Sequence, residues 1–233
     1  MLRFDRPRFW PTVLTVPALI VLIGLGTWQL QRLAWKTDLL DRIGERMSAA
    51  PAPLPARLDD PEAWDYRRVT LAGRFAEGET LHWVARTHDG QAGVELITPL
   101  VRADGRPVLV NRGWVPEGAV DAVGPPPTGP VTIQGVARVP PPRGWMRPDN
   151  DPDANTWYWV DLDAMAAAAG LAEAAPVLVQ AADTDPDALP VGDRTRVTIP
   201  NDHLEYALTW YGLAVVLIGV YVAYHRRRDD AAR

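Results

Sequence analysis

The stretch that decides the architecture is Phe9-Trp10-Pro11-Thr12-Val13-Leu14-Thr15-Val16-Pro17-Ala18-Leu19-Ile20-Val21-Leu22-Ile23-Gly24-Leu25-Gly26-Thr27-Trp28-Gln29-Leu30-Gln31, 23 residues without a charge. At about 1.5 Å of rise per residue, a helix of this length covers a hydrocarbon core of about 30 Å. Pro17 lies inside it, which spanning helices tolerate. Trp10 and Trp28 sit near its ends, where amphipathic rings meet the bilayer surface. A second run, Tyr206 to Tyr224, has 19 uncharged residues. Tyr206, Trp210 and Tyr211 mark one end of it, and Tyr221 and Tyr224 the other. The pattern predicts transmembrane helices over residues 9–33 and 206–224. The competing reading is a pair of buried core helices. For the first run, a cleaved signal peptide also competes. Its hydrophobic stretch is long for that, and Gly24-Leu25-Gly26 is a poor cleavage site followed directly by Trp28 and Gln29.

Basic residues flank both runs on their terminal sides. Arg3, Arg6 and Arg8 precede the first, and Arg226, Arg227 and Arg228 follow the second. The positive-inside rule then places residues 1–8 and 225–233 in the cytoplasm and exports residues 34–205. Arg32, Lys36, Arg42 and Arg46 lie just past the first run on the far side, but long segments cross largely regardless of charge. A span beginning by residue 9 leaves no room for a transit peptide. The expected location is a bacterial plasma membrane, with the central domain in the periplasm. The whole chain of 233 residues carries net charge −5, and most of the acid lies in that central segment. An acidic balance argues against a nucleic-acid partner. The absence of cysteine excludes a disulfide framework, a thiolate metal site and a thiol nucleophile. It also removes the soft ligands of a copper carrier. The 23 prolines are roughly twice the usual share of about 5% and favour strands and turns over a helical body.

The central segment should begin as helix, because Trp35, Leu39, Leu40 and Ile43 recur at helical spacing up to Met47. Pro51-Ala52-Pro53-Leu54-Pro55 should end that helix and form a linker. Strand signals follow at Arg68–Phe75, Thr80–Arg86, Val94–Val101, Pro107–Trp114, Val131–Ala137, Tyr158–Asp161 and Pro176–Gln180. Tight turns such as His88-Asp89-Gly90 and Ala103-Asp104-Gly105 separate several of them. A short helix is expected from Leu162 to Ala169, capped by Asp161 and stopped by Gly170. The fold class is thus a membrane protein. Two transmembrane α-helices flank an exported, mainly antiparallel β domain, a sheet or small barrel, with one short helix.

No phosphate-binding glycine loop, zinc-binding helix motif or nucleophile elbow is present, so nothing points to an enzyme. His82, His88 and His225 read as packed, turn and interfacial residues. His203 stands apart. It lies just before the second span in Pro200-Asn201-Asp202-His203-Leu204-Glu205-Tyr206. Asn201 or Asp202 can cap the helix, and Glu205 stands three beyond Asp202 as in a capping box. His203, Tyr206 and Trp210 then share one helix face. The first span brings Trp28, Gln29 and Arg32 to the same depth. A histidine, flat aromatic residues and an arginine suit a planar, anionic, apolar ligand, and haem fits that description. The same spacing equally suits an interfacial His–Tyr–Trp belt with no ligand.

Three blocks carry a resemblance. They are Leu25-Gly26-Thr27-Trp28-Gln29-Leu30-Gln31-Arg32-Leu33-Ala34-Trp35-Lys36, the run from Tyr66-Arg67-Arg68-Val69 through Gly73-Arg74-Phe75 to Val110-Asn111-Arg112-Gly113-Trp114-Val115-Pro116, and Asn201-Asp202-His203-Leu204-Glu205-Tyr206-Ala207-Leu208-Thr209-Trp210-Tyr211. Together they resemble the surfeit-locus family, the assembly factors of cytochrome c oxidase. The family often has a second Asn where this chain has Asp202. The resemblance implies a non-enzymatic role in maturing a haem-copper terminal oxidase of the respiratory chain. It implies binding of haem a, with His203 as iron ligand, and delivery to the oxidase catalytic subunit, with haem a synthase as a further partner. On that reading Tyr206, Trp210, Trp28 and Arg32 complete the cofactor site, and Arg112 is a candidate partner for a propionate or for the oxidase surface. The competing expectation for Asn111, Arg112, Gly113 and Trp114 is that they maintain the fold. The alternative is a membrane scaffold that steadies an oxidase intermediate without haem.

Overall fold

The structure, a computed structural model, describes residues 8–78, 80–182, 189–192 and 201–226. Arg3, Arg6, Arg227 and Arg228, which carry much of the orientation argument, lie outside the described residues. The chain divides into two compact units. One is Met1–Arg42 with Thr198–Arg233, and the other is Ile43–Val197.

The first unit is a helix pair. α1 runs Phe9–Ser48 with Pro17 inside it, so the expected continuation beyond the apolar run holds. α3, the last helix among the described residues, runs His203–His225. Both are long and apolar enough to cross a membrane. Only 6% of the apolar window of α1 and 11% of that of α3 is buried, the reverse of a core helix. Their contacts pair them antiparallel. Thr12 Oγ1 donates to Arg8 O, so Tyr221 OH donates to Thr12 Oγ1 at 2.7 Å. Thr27 Oγ1 donates to Ile23 O, so Tyr211 OH donates to Thr27 Oγ1 at 3.1 Å. Gly26 is buried there, and a Cβ on it would lie 2.8 Å from the Tyr211 ring. Ala207 and Ala214 are the buried small residues of α3. Small residues and polar bonds are what lets helices approach closely in lipid.

The second unit is built on eight strands: β1 Ala52–Pro53, β2 Arg68–Phe75, β3 Leu81–His88, β4 Gln91–Val101, β5 Val108–Pro116, β6 Val131–Arg138, β7 Thr156–Trp157 and β8 Leu178–Ala181. Their order is β1-β2-β6-β8-β5-β4-β3-β7, and β2 also pairs with β4. That pairing, Arg74 with Val101 and Phe75 with Leu100, closes β2, β6, β8, β5 and β4 into a five-stranded ring. The small barrel is therefore the correct one of the two expected forms. Its interior holds Val69, Leu71, Leu100, Val108, Val110, Ala137 and Val179, the inward positions of a period-2 pattern. A second core, with Ile97, Leu109, Trp157 and Met165, lies on the outer side of β4 and β5. Here α2, Leu162–Ala168, covers the barrel. β4 and β5 are thus buried on both faces and read as nearly continuous apolar runs.

Two expectations need correction, and a third needs a qualification. The sheet is mainly antiparallel, as expected, but it is mixed, because β1–β2, β3–β7 and β5–β8 are parallel. The stretch 51–55 is no free linker. Ala52 and Pro53 pair alongside β2, and Leu54, only 3% exposed, enters the barrel core. Proline is acceptable on such an edge because only one side of the strand is paired. Tyr158–Asp161 is not a strand either. Asn150 Oδ1 accepts from Tyr158 N (2.8 Å) and Trp159 N (3.2 Å), and Asn150 Nδ2 donates to Trp159 O (3.1 Å). One side chain takes the backbone groups a neighbouring strand would have used. The short helix is as expected: Asp161 Oδ1 accepts from Ala164 N at 3.1 Å, and Gly170 follows with φ +73°.

Candidate functional site

The first candidate site lies in the helix pair. α3 begins at His203, but the expected capping box does not form. Asp202 occupies the cap position with φ −89° and ψ 10°, and its side chain makes no capping bond. A capping side chain needs an extended backbone to swing over the helix end, and this residue is not extended. The helix start instead orients His203. Its Nδ1 lies 2.7 Å from Gln29 Oε1 of α1. Gln29 is only 9% exposed despite its amide. An amide oxygen can only accept, so Nδ1 carries the proton and Nε2 carries the lone pair. Among the described residues Nε2 has no partner, and the ring is only part-buried. One nitrogen is pinned and the other is open, which is how proteins prepare a histidine to ligate a metal.

The remaining expected residues divide. Tyr206 and Trp28 are exposed, and Trp210 is half-buried one helical face along from His203. The Arg32 guanidinium lies over the Trp35 ring, 4.4 Å from its centroid. Gln29 is the residue that sequence reasoning placed at the right depth without a role. Its signal was a burial-prone position held by an amide within an apolar run. Among the described residues no group of three or more histidine or acidic side chains could cage a metal. A lone imidazole holds a metal only when another chelator brings the remaining donors.

Arg112 belongs to the second unit and has its own setting. Between β4 and β5 the register steps from Leu96–Gly113 to Ile97–Asn111, leaving Arg112 as the extra residue of a bulge. Its neighbours build that bulge. Asn111 Nδ2 donates to Glu95 Oε2 at 2.6 Å, and Asn111 Oδ1 accepts from Gly113 N at 3.0 Å. Gly113 has φ +132°, and a Cβ there would lie 2.4 Å from Val191 O. Trp114 N and O pair with Val191 at 2.9 and 2.8 Å. So Asn111, Gly113 and Trp114 hold this bulge in place. Gly113→Ala should cost about 2–3 kcal/mol through strain and the Val191 contact. The check is the thermal midpoint of the detergent-solubilised chain, and an unshifted midpoint would contradict the bulge account.

Residues 16–215 match the SURF1 family model. The chain belongs to the SURF1 family. Surfeit locus protein 1 of Mus musculus is 36% identical over 225 residues, covering 86% of this chain and 70% of the mouse protein. The Homo sapiens protein of the same name is 36% identical over 220 residues, covering 84% and 71%. A SURF1-like protein of Monosiga brevicollis is 35% identical over 239 residues, covering 94% and 88%. The SURF1 family is known for cytochrome c oxidase assembly factors. The stretch matching the SURF1 model contains Gln29, Arg112 and His203, and so both settings described above.

Proposed function

We propose that this chain serves cytochrome c oxidase assembly by holding haem a at the start of α3. The observation that carries the reading is the Gln29–His203 hydrogen bond of 2.7 Å, which leaves the second ring nitrogen open. Haem iron would take such a nitrogen as a ligand. A macrocycle also brings the other donors that a lone histidine cannot. His203 Nε2 would be the ligand, Gln29 would hold the ring, and Tyr206, Trp210 and Trp28 would offer flat apolar surface. Arg32 would leave the Trp35 face to meet a propionate. The two helices would keep this site at the membrane edge with both termini cytoplasmic. The role is carriage rather than catalysis, with the oxidase catalytic subunit as recipient and haem a synthase as supplier.

The test is complementation in cells lacking their own copy. Wild type should restore the haem a absorbance of the membranes, and His203→Ala should restore little of it although the protein accumulates. Equal restoration by both would favour a scaffold that needs no haem.

A further inference from the structure

We propose that Arg112 anchors a second ligand site, one that takes an apolar molecule bearing a single carboxylate. The barrel topology brings the parts to one end of the ring. β2 ends there at Phe75, β6 begins there at Val131, and β8 ends there at Ala181. Between them lies a groove of about 270 Å³, lined also by Val110, Ile133 and Arg112. It adjoins a wider one of about 630 Å³ through Phe75, Val131 and Thr132, with Arg74 on its wall. The wider groove is in the range of small-molecule sites, about 300–1,000 Å³, and the narrower one lies just below it.

Arg112 is placed there deliberately. It is the unpaired residue of the β4–β5 bulge, and bulges commonly re-aim a side chain beside a functional site. The rest of the motif around it is consumed in building that bulge. Its guanidinium is half-buried, and burial lowers its pKa below the ordinary arginine value. It remains cationic. Among the described residues it has no acid partner and no hydrogen bond; its one contact of note is the Phe75 ring, 5.9 Å from the guanidinium to the centroid. A cation withdrawn from water without a partner is costly, and it is best explained by a partner that arrives later. The fork of a guanidinium matches a planar carboxylate bidentately. Around Arg112 itself the walls of the narrower groove are apolar apart from Thr132, which fits a hydrocarbon or aromatic body and not a strongly hydrated dianion such as phosphate. This site does not depend on what His203 binds.

The experiment uses the full chain in phosphatidylcholine nanodiscs, with 1-naphthoate as probe and its uncharged methyl ester as control. The readouts are the affinity of each and the Nε–H resonance of Arg112 in arginine-labelled protein. Wild type should bind naphthoate about tenfold more tightly than the ester, and the Arg112 resonance should move with naphthoate alone. Arg112→Gln should erase the preference, and Arg112→Lys should keep part of it. His203→Ala should bind as wild type does. An unmoved Arg112 resonance in wild type, or a preference that survives Arg112→Gln, would overturn the proposal.

Discussion

On the proposed haem reading, Gln29→Leu should weaken haem binding by about 10- to 100-fold, and His203→Ala should abolish it. The first figure follows from what a second partner does for a metal-ligating histidine: it fixes tautomer and ring orientation and raises basicity. Gln29 Oε1 holds Nδ1–H at 2.7 Å. Without that acceptor the proton is free to move to Nε2, and the ligating lone pair is lost for part of the time. Nitrogen NMR of His203 in the haem-free chain reads this directly. Wild type should show Nδ1–H alone, and Gln29→Leu a mixture. Haem titration of the same samples then gives the affinities. Gln29→Glu offers a stronger acceptor and should lower the reduction potential of the bound iron. Should the tautomer be mixed already in wild type, the positioning role of Gln29 is lost. Should the tautomer be fixed and haem still fail to bind, the positioning stands and the haem reading falls.

The contrast between His203 and Gln29 shows what the sequence could carry. His203, Tyr206 and Trp210 fall on one face by helical period alone, so their grouping was legible. Gln29 was not, because its direction depends on how α1 meets α3. That register is set by Gly26 giving way to the Tyr211 ring, a contact between residues far apart in the chain. The capping box failed for a related reason. The residue types were right, but the backbone at Asp202 does not adopt the conformation that capping needs.

In the second unit, six of the seven expected strands coincide with observed ones, because alternation and turn residues are local signals. Ring closure is not local. It rests on two residue pairs, Arg74–Val101 and Phe75–Leu100, at the ends of otherwise ordinary strands. The Asn150 side chain displaced the seventh strand, and no periodicity in Tyr158–Asp161 announces that. Arg112 is intermediate. Its motif was visible, but the bulge that singles it out needs the pairing with β4.

Arg86→Met should destabilise the second unit by about 3–5 kcal/mol. Glu95 is 2% exposed on β4, accepting from Arg86 Nε at 3.0 Å and from Asn111 Nδ2 at 2.6 Å. Its position is not a choice the sheet makes easily, since a buried carboxylate is costly unless paired. The pairing is arranged by a second bulge. Between Trp83 and Arg86 the β3–β4 register shifts, with Ala85 at φ 56°. That step pairs Arg86 with Gly93, while its side chain reaches back to Glu95, the partner of Trp83, and lays its guanidinium 4.0 Å over the Trp83 ring. Methionine keeps the hydrocarbon stem and removes the charge, leaving a buried carboxylate short of its cation. Glu95→Gln is the informative partner variant. An amide oxygen still accepts from Asn111, and Arg86, partly exposed, is left to water. Its cost should be under half that of Arg86→Met. Thermal unfolding of both variants in the same detergent checks this, at roughly 2–4 °C per kcal/mol for a domain of this size. If the two losses were equal, shape alone would explain the pair, and the buried charge would not be what the bulge exists to neutralise.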